Sequence, residues 1–161
     1  WTTATEFTIP VDWKEWLLCP NSLTAKLKQS AKEFRVHLLQ HSSKSLPDGL
    51  AQRWQQSHGI CREVLLVLSD RPYVFAQSWF PLSTLQALQP LAELGTQPLG
   101  EFIFQQPDVQ RSAIEVASFK DGLQGEPHLQ IPQSLWGRRS FFSLQQHELL
   151  VQEIFLAKPD V

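Results

Sequence analysis

The sequence predicts an α+β fold built on an antiparallel sheet. Apolar, β-rich runs come in adjacent pairs joined by short turns: residues 61–68 with 73–80, and 139–144 with 148–156. Helical spacing is confined to the start and middle of the chain. Strand and helix never alternate regularly, as the crossovers of a parallel sheet would require. The length of 161 residues fits one domain spanning 1–161, with no internal repeat and no low-complexity tract.

Residues 11–18 place apolar side chains at helical spacing, and Cys19-Pro20 should stop that helix. Asn21 or Ser22 can cap a second helix from Leu23 to about Ala31. Residues 34–40 read as a strand, and the Ser-, Pro- and Gly-containing residues 41–50 as a polar connection. The first hairpin turns at Ser69-Asp70-Arg71-Pro72. Pro81 ends its second strand, and Ser83 or Thr84 can cap a helix to about Leu94, with a break at Pro90. Gly95 is a natural helix stop, and Pro98 opens another short helix through Phe104. Residues 111–119 alternate as a strand, 122–133 form a loop, and the second hairpin turns at Gln145-Gln146-His147.

Composition narrows the function. Hydrophobic residues make up 42% and charged ones 19%, as in globular chains. No apolar run approaches the ~20 residues of a membrane span, and no basic-then-apolar signal pattern opens the chain, so a cytoplasmic protein is expected. A formal charge of −2 argues against a nucleic-acid partner. Cys19 and Cys61 lack metal-ligand spacing and read as reduced thiols. Phosphate-loop, dinucleotide, nucleophile-elbow and paired-histidine motifs are all missing, so a metal or nucleotide-driven enzyme is disfavoured. His37, His41, His58, His128 and His147 fall mostly in loops or at strand ends, where solvated or hydrogen-bonded roles are the rule.

Two charges stand out. Arg62 opens a run that continues Glu63, Val64, Leu65 and Leu66; Glu153 interrupts Leu149, Leu150, Val151, Ile154 and Phe155. Alternation puts Arg62 on one face with Val64 and Leu66, and Glu153 with Val151 and Phe155. A charge on a core-facing surface is costly unless it meets a partner or a ligand. The pair therefore reads either as a structural ion pair or edge position, or as two ends of a site for a small polar anion. Arg62's planar fork suits a carboxylate. Residues 97–100 enter a helix whose first N–H groups are unpaired, although most such junctions are only structural; Leu23 sits similarly at the start of the second helix. Arg138 and Arg139 point oppositely, so at least one should face solvent, and Glu115 reads as structural or exposed.

Residues 61–66, 80–85, 94–100, 135–140 and 152–156, taken in this order, resemble the chorismate lyase family. Trp136-Gly137-Arg138-Arg139-Ser140 followed by a Glu-containing terminal strand is the most specific element, and the likeness covers roughly residues 12–158. The resemblance implies a single antiparallel β-sheet with helices forming flaps over an internal ligand cavity. It also implies elimination of pyruvate from chorismate to give 4-hydroxybenzoate, the opening step of ubiquinone synthesis, without metal or organic cofactor. By the same resemblance, Arg62 and the backbone at Leu23 and Leu99 hold the ring carboxylate, while Glu153 bonds the hydroxyl at the far end.

The chain departs from the family's best-known member at Leu23, which replaces a methionine, and at Gln77, which replaces a second arginine near the site. The latter puts handling of the enolpyruvyl carboxylate, or product release, in question, with Arg138 or Arg139 as candidates to compensate. A closed cavity predicts product inhibition with flap opening limiting turnover. A monomer is expected, since no feature demands a dimer. The competing reading is a non-catalytic sensor of small aromatic acids, because effector domains of some bacterial transcription regulators share this fold. Those follow a DNA-binding domain, and no helix-turn-helix or basic segment precedes this one; mutase or isochorismate chemistry is a third alternative.

Overall fold

A computed structural model describes residues 1–4, 8–30, 33–119 and 135–159. The loop expected at 122–133, His128 within it, and the expected helix end at Ala31 lie outside those residues.

The described elements run β1 (Thr2–Thr3), α1 (Val11–Leu17), α2 (Leu23–Ser30), β2 (Phe34–Ser45), α3 (Asp48–Trp54), β3 (His58–Leu68), β4 (Arg71–Pro81), α4 (Leu82–Ala87), a 3₁₀ turn (Gln89–Leu91), α5 (Leu99–Gln105), β5 (Gln110–Arg111), β6 (Glu115–Phe119), β7 (Leu135–Leu144) and β8 (His147–Phe155). One antiparallel sheet takes in every strand in the order β1-β6-β7-β8-β4-β3-β2, with β5 added beside β7. The α+β antiparallel architecture expected from the sequence is the one observed. No helix among the described residues is long and apolar enough to cross a membrane.

Both long hairpins close on two-residue turns in the left-handed region: Ser69-Asp70, with φ of 46° and 65°, and Gln145-Gln146, with φ of 49° and 67°. Such turns match the right-handed twist of the strands they join. They are tighter than the sequence suggested, so Arg71, Pro72 and His147 belong to strands.

Four other expectations need correction. The polar residues 41–45 continue β2, because His41 through Ser45 stay in register with Arg62 through His58. Residues 48–50, the end of the expected connection, instead open α3, which runs to Trp54 and lays Leu50 on Cys61, Trp79 and Leu150. Residues 111–119 are two strands, not one, interrupted between Arg111 and Glu115. Neither Ser83 nor Thr84 caps α4; the Thr84 hydroxyl donates instead to the Glu148 carbonyl at 2.7 Å. Ser22 does cap α2, its Oγ accepting the Ala25 N–H at 3.2 Å.

Alternation gives the sheet two faces. Under the first lie α1 and α2, whose Trp16, Leu17, Leu23 and Leu27 pack on Val64, Leu66, Val74 and Phe155. Each such fully buried side chain contributes about 1.5–3 kcal/mol. The α4–α5 segment covers the neighbouring part of this face through Leu91, Leu94, Leu99 and Ile103, against Phe80, Phe142 and Leu149. The second face carries α3 and the Phe75, Leu135 and Ile154 cluster.

Candidate ligand site

Between the first face and the two helical flaps lies a cavity of about 540 Å³, counted out to its mouth. Its floor is Arg62, Val64 and Leu66 of β3, Ala76 and Ser78 of β4, Val151 and Glu153 of β8, and Arg138 and Phe142 of β7. Its roof is Leu23 and Thr24 at the start of α2, with Pro98, Leu99, Gly100, Ile103 and Phe104 of α5. All four residues singled out from the sequence and the family likeness, Leu23, Arg62, Leu99 and Glu153, therefore border one space.

Register explains the placement. Arg62 faces Ser78, which faces Val151; one row along, Val64 faces Ala76, which faces Glu153, which faces Arg138. Arg62 and Glu153 thus stand two strands apart, about 9–10 Å across the sheet, and two residues apart along it, about 7 Å, with their side chains reaching toward each other over one space. That separation spans a small ring with a polar group at each end.

Arg62 is only 2% exposed and forms no ion pair among the described residues. Its Nη2 donates to the carbonyls of Gly95 (3.1 Å) and Gln97 (2.9 Å), in the loop leading into α5. Its Nε is buried with no partner. Burial pulls its pKa down to about 10, still far enough above neutrality for the guanidinium to stay charged. A buried cation with an unmatched N–H, walled by apolar side chains, is strained in a way that an incoming carboxylate relieves.

At the other end, Arg138 Nε donates to Glu153 Oε1 at 3.3 Å, with Arg138 1% and Glu153 8% exposed. Arg138 Nη1 donates to the carbonyls of Cys19 (2.7 Å), Trp16 (3.3 Å) and Leu17 (3.5 Å), gathering the free end of α1. Arg111 reinforces this clasp: Nη1 reaches Cys19 O and Pro20 O, and Nε donates to Ser140 Oγ. Burial, then the charge of Arg138, holds the Arg111 pKa at about 10. The flaps meet over the cavity, where Lys28 of α2 pairs with Glu101 of α5. Gly100 approaches so closely that a Cβ would lie 3.2 Å from Ser22 Oγ and 3.3 Å from Thr24 Oγ1.

Arg139 and Glu115, open in the sequence reading, pair with each other on the opposite face at 3.1 Å. Gln77 needs correction. Its neighbours Ala76 and Ser78 line the cavity, so its own side chain points away, to Glu63 (3.2 Å), Trp79 (3.1 Å) and Gln152 (2.9 Å). Arg111 was missed as a site residue, since only the pairing of β5 with β7 brings it beside Ser140, and no local pattern announces that contact. Cys19 is a free thiol, and among the described residues no cluster of His, Cys, Asp and Glu is arranged to hold a metal.

The geometry defines a class: a small-molecule site enclosed between a rigid sheet and two helical lids, cationic at one end and carrying an arginine–carboxylate couple at the other. The fold alone is shared widely. The effector domain of PhnF from Mycobacterium smegmatis superposes with a TM-score of 0.59 at 13% identity, covering 84% of this chain and 88% of that one. A GntR-family transcriptional regulator from Bacillus cereus gives 0.55 at 11% identity, covering 80% and 95%. Sequence is more selective. The family model for chorismate lyase matches residues 1–161. A probable chorismate pyruvate-lyase of Pseudoalteromonas translucida (strain TAC 125) is 43% identical over 152 residues, 89% of this chain and 83% of the relative. One from Psychromonas ingrahamii (strain DSM 17664 / CCUG 51855 / 37) is 41% identical over 150 residues, covering 88% and 81%. The chain belongs to the chorismate lyase family.

Proposed function

We infer that the chain is a carbon–oxygen lyase that removes pyruvate from chorismate and leaves 4-hydroxybenzoate, the ring precursor of ubiquinone. The observation that carries this reading is the buried Arg62, its Nε unmatched, facing the same cavity as Glu153. Arg62 receives the ring carboxylate, helped by the backbone N–H groups of Leu23 and Leu99 at the starts of the two lids. Glu153 accepts the hydroxyl at the para position.

The reaction breaks the ether bond at ring C3 and the C–H bond at C4, and the ring becomes aromatic. That gain drives the step, so the protein's task is to hold one conformer in a dry space, which can lower a barrier by up to about 7–11 kcal/mol. The C4 proton passes either to Glu153 or directly to the methylene of the departing enolpyruvyl group, which becomes the methyl of pyruvate. Kinetics of Glu153→Gln separate the two, because near-normal turnover excludes an obligatory base.

A flat product carboxylate fits the same closed site, so product inhibition with lid opening limiting turnover follows from this reading. The test is incubation with chorismate, with 4-hydroxybenzoate followed by ultraviolet absorbance and pyruvate by a coupled enzyme. Matched release of both supports the lyase; binding of aromatic acids with no turnover identifies a sensor instead, and other products would indicate mutase or isochorismate chemistry.

A further inference from the structure

Chorismate carries a second carboxylate, and its connectivity says where that group must lie. The enolpyruvyl ether leaves the ring at C3, next to the hydroxyl-bearing C4. With the C1 carboxylate on Arg62 and the hydroxyl on Glu153, the ether therefore departs at the Glu153 end of the cavity. The cation at that end is Arg138: it lines the cavity, and its Nε lies 3.3 Å from Glu153 Oε1. Its Nε and Nη1 are engaged with Glu153 and with the carbonyls of Trp16, Leu17 and Cys19, while Nη2 takes part in none of these bonds. Arg139, the other arginine of the motif, is turned to the opposite face and paired with Glu115. Gln77 faces away as well.

A second cation backs that end of the cavity: Arg111, outside the lining, donates to Ser140 Oγ and to the Cys19 and Pro20 carbonyls, the former of which Arg138 also holds.

We propose that Arg138 receives the enolpyruvyl carboxylate of the substrate, so that the Arg138–Glu153 corner distinguishes the dianionic substrate from its monoanionic ring product. This rests on the lyase reading and on the ring orientation it sets. Once the ether bond breaks, pyruvate takes its carboxylate away from Arg138, and 4-hydroxybenzoate keeps only the Arg62 anchor and the Glu153 hydrogen bond.

Two stable aromatic ligands isolate the contact: 3-(carboxymethoxy)-4-hydroxybenzoate, with an acid on the C3 ether, and 3-ethoxy-4-hydroxybenzoate, its neutral counterpart. Calorimetric binding to the intact chain should favour the acid by about tenfold or more, as for one charge-assisted contact in a buried site. Arg138→Gln should abolish that preference, and Arg138→Lys should restore part of it. In both variants the affinity lost for the acid should exceed that lost for 4-hydroxybenzoate, by about tenfold in Arg138→Gln and by less in Arg138→Lys, since Arg62 still holds the ring carboxylate. A preference below about twofold in the unaltered chain overturns the assignment without any variant. So does a preference that survives in Arg138→Gln, or a loss of 4-hydroxybenzoate affinity as large as the loss for the acid. If the unaltered chain neither binds 4-hydroxybenzoate nor releases pyruvate from chorismate, the lyase reading itself fails and takes the assignment with it.

Discussion

The two faces of the sheet use the same residue types to opposite ends. Three adjacent polar pairs, Arg62-Glu63, Arg138-Arg139 and Gln152-Glu153, each send one member to each face. On the outer face the polar groups satisfy one another: Glu63 with Gln77, Gln77 with Trp79 and Gln152, Arg139 with Glu115, and Arg53 with Glu148. On the inner face Arg62, Arg138 and Glu153 converge on a space, and the Arg62 Nε stays unmatched. Burial alone does not tell the faces apart, since Glu63 is 3% and Arg62 2% exposed. What separates them is whether the hydrogen-bonding account closes within the protein.

The sharpest way to break this contrast is to treat neighbours alike. Arg62→Met should lower kcat/KM for chorismate by about 10²–10³-fold, the cost of leaving a buried ligand carboxylate unpaired. Its unfolding midpoint should hold or rise, because an apolar side chain removes an uncompensated buried charge. Glu63→Gln, one residue away, should leave kcat/KM within about twofold. Equal activity losses in the two variants would dissolve the distinction between the faces.

A smaller effect tests the outer packing. A Cβ at Gly137 would lie 2.7 Å from Ile154 Cδ1 and 3.0 Å from a ring carbon of Trp1. Gly137→Ala should thus cost about 1–3 kcal/mol of stability in denaturant titration. A neutral result would mean that the outer layer yields.

The smallest effect concerns His41, which faces Arg62 across β2 and β3. Burial, and then the charge of Arg62, holds its pKa below the usual value. The unfolded chain then binds the proton more readily than the folded one as pH falls below about 6.5, so stability declines in that window and is flat above it. Denaturation midpoints at pH 7.5 and 5 should differ less in His41→Asn than in the unaltered chain. An equal difference would remove His41 from the account.

Much of this was legible in the chain. The hairpins, the α1–α2 and α5 helices and the shared face of Arg62, Val64 and Leu66 follow from local spacing, and Arg62 and Glu153 stand out because charge sits badly in apolar strands. The rest depends on register between distant segments. Residues 41–45 are polar and give no strand signal, yet the β3 edge they pair with demands a partner. Gln77 was misplaced because likeness to a relative identifies an aligned position, while strand parity decides which face the side chain takes. The same parity assigns Arg138 inward and Arg139 outward once β7 is seen to begin at Leu135.

Arg62 has one more consequence. Its Nη2 clasps the carbonyls of Gly95 and Gln97, so the side chain that anchors a ligand also tethers the segment leading into the α5 lid. Moving that lid therefore disturbs the anchor itself, and entry or escape past it should run slower than diffusional encounter.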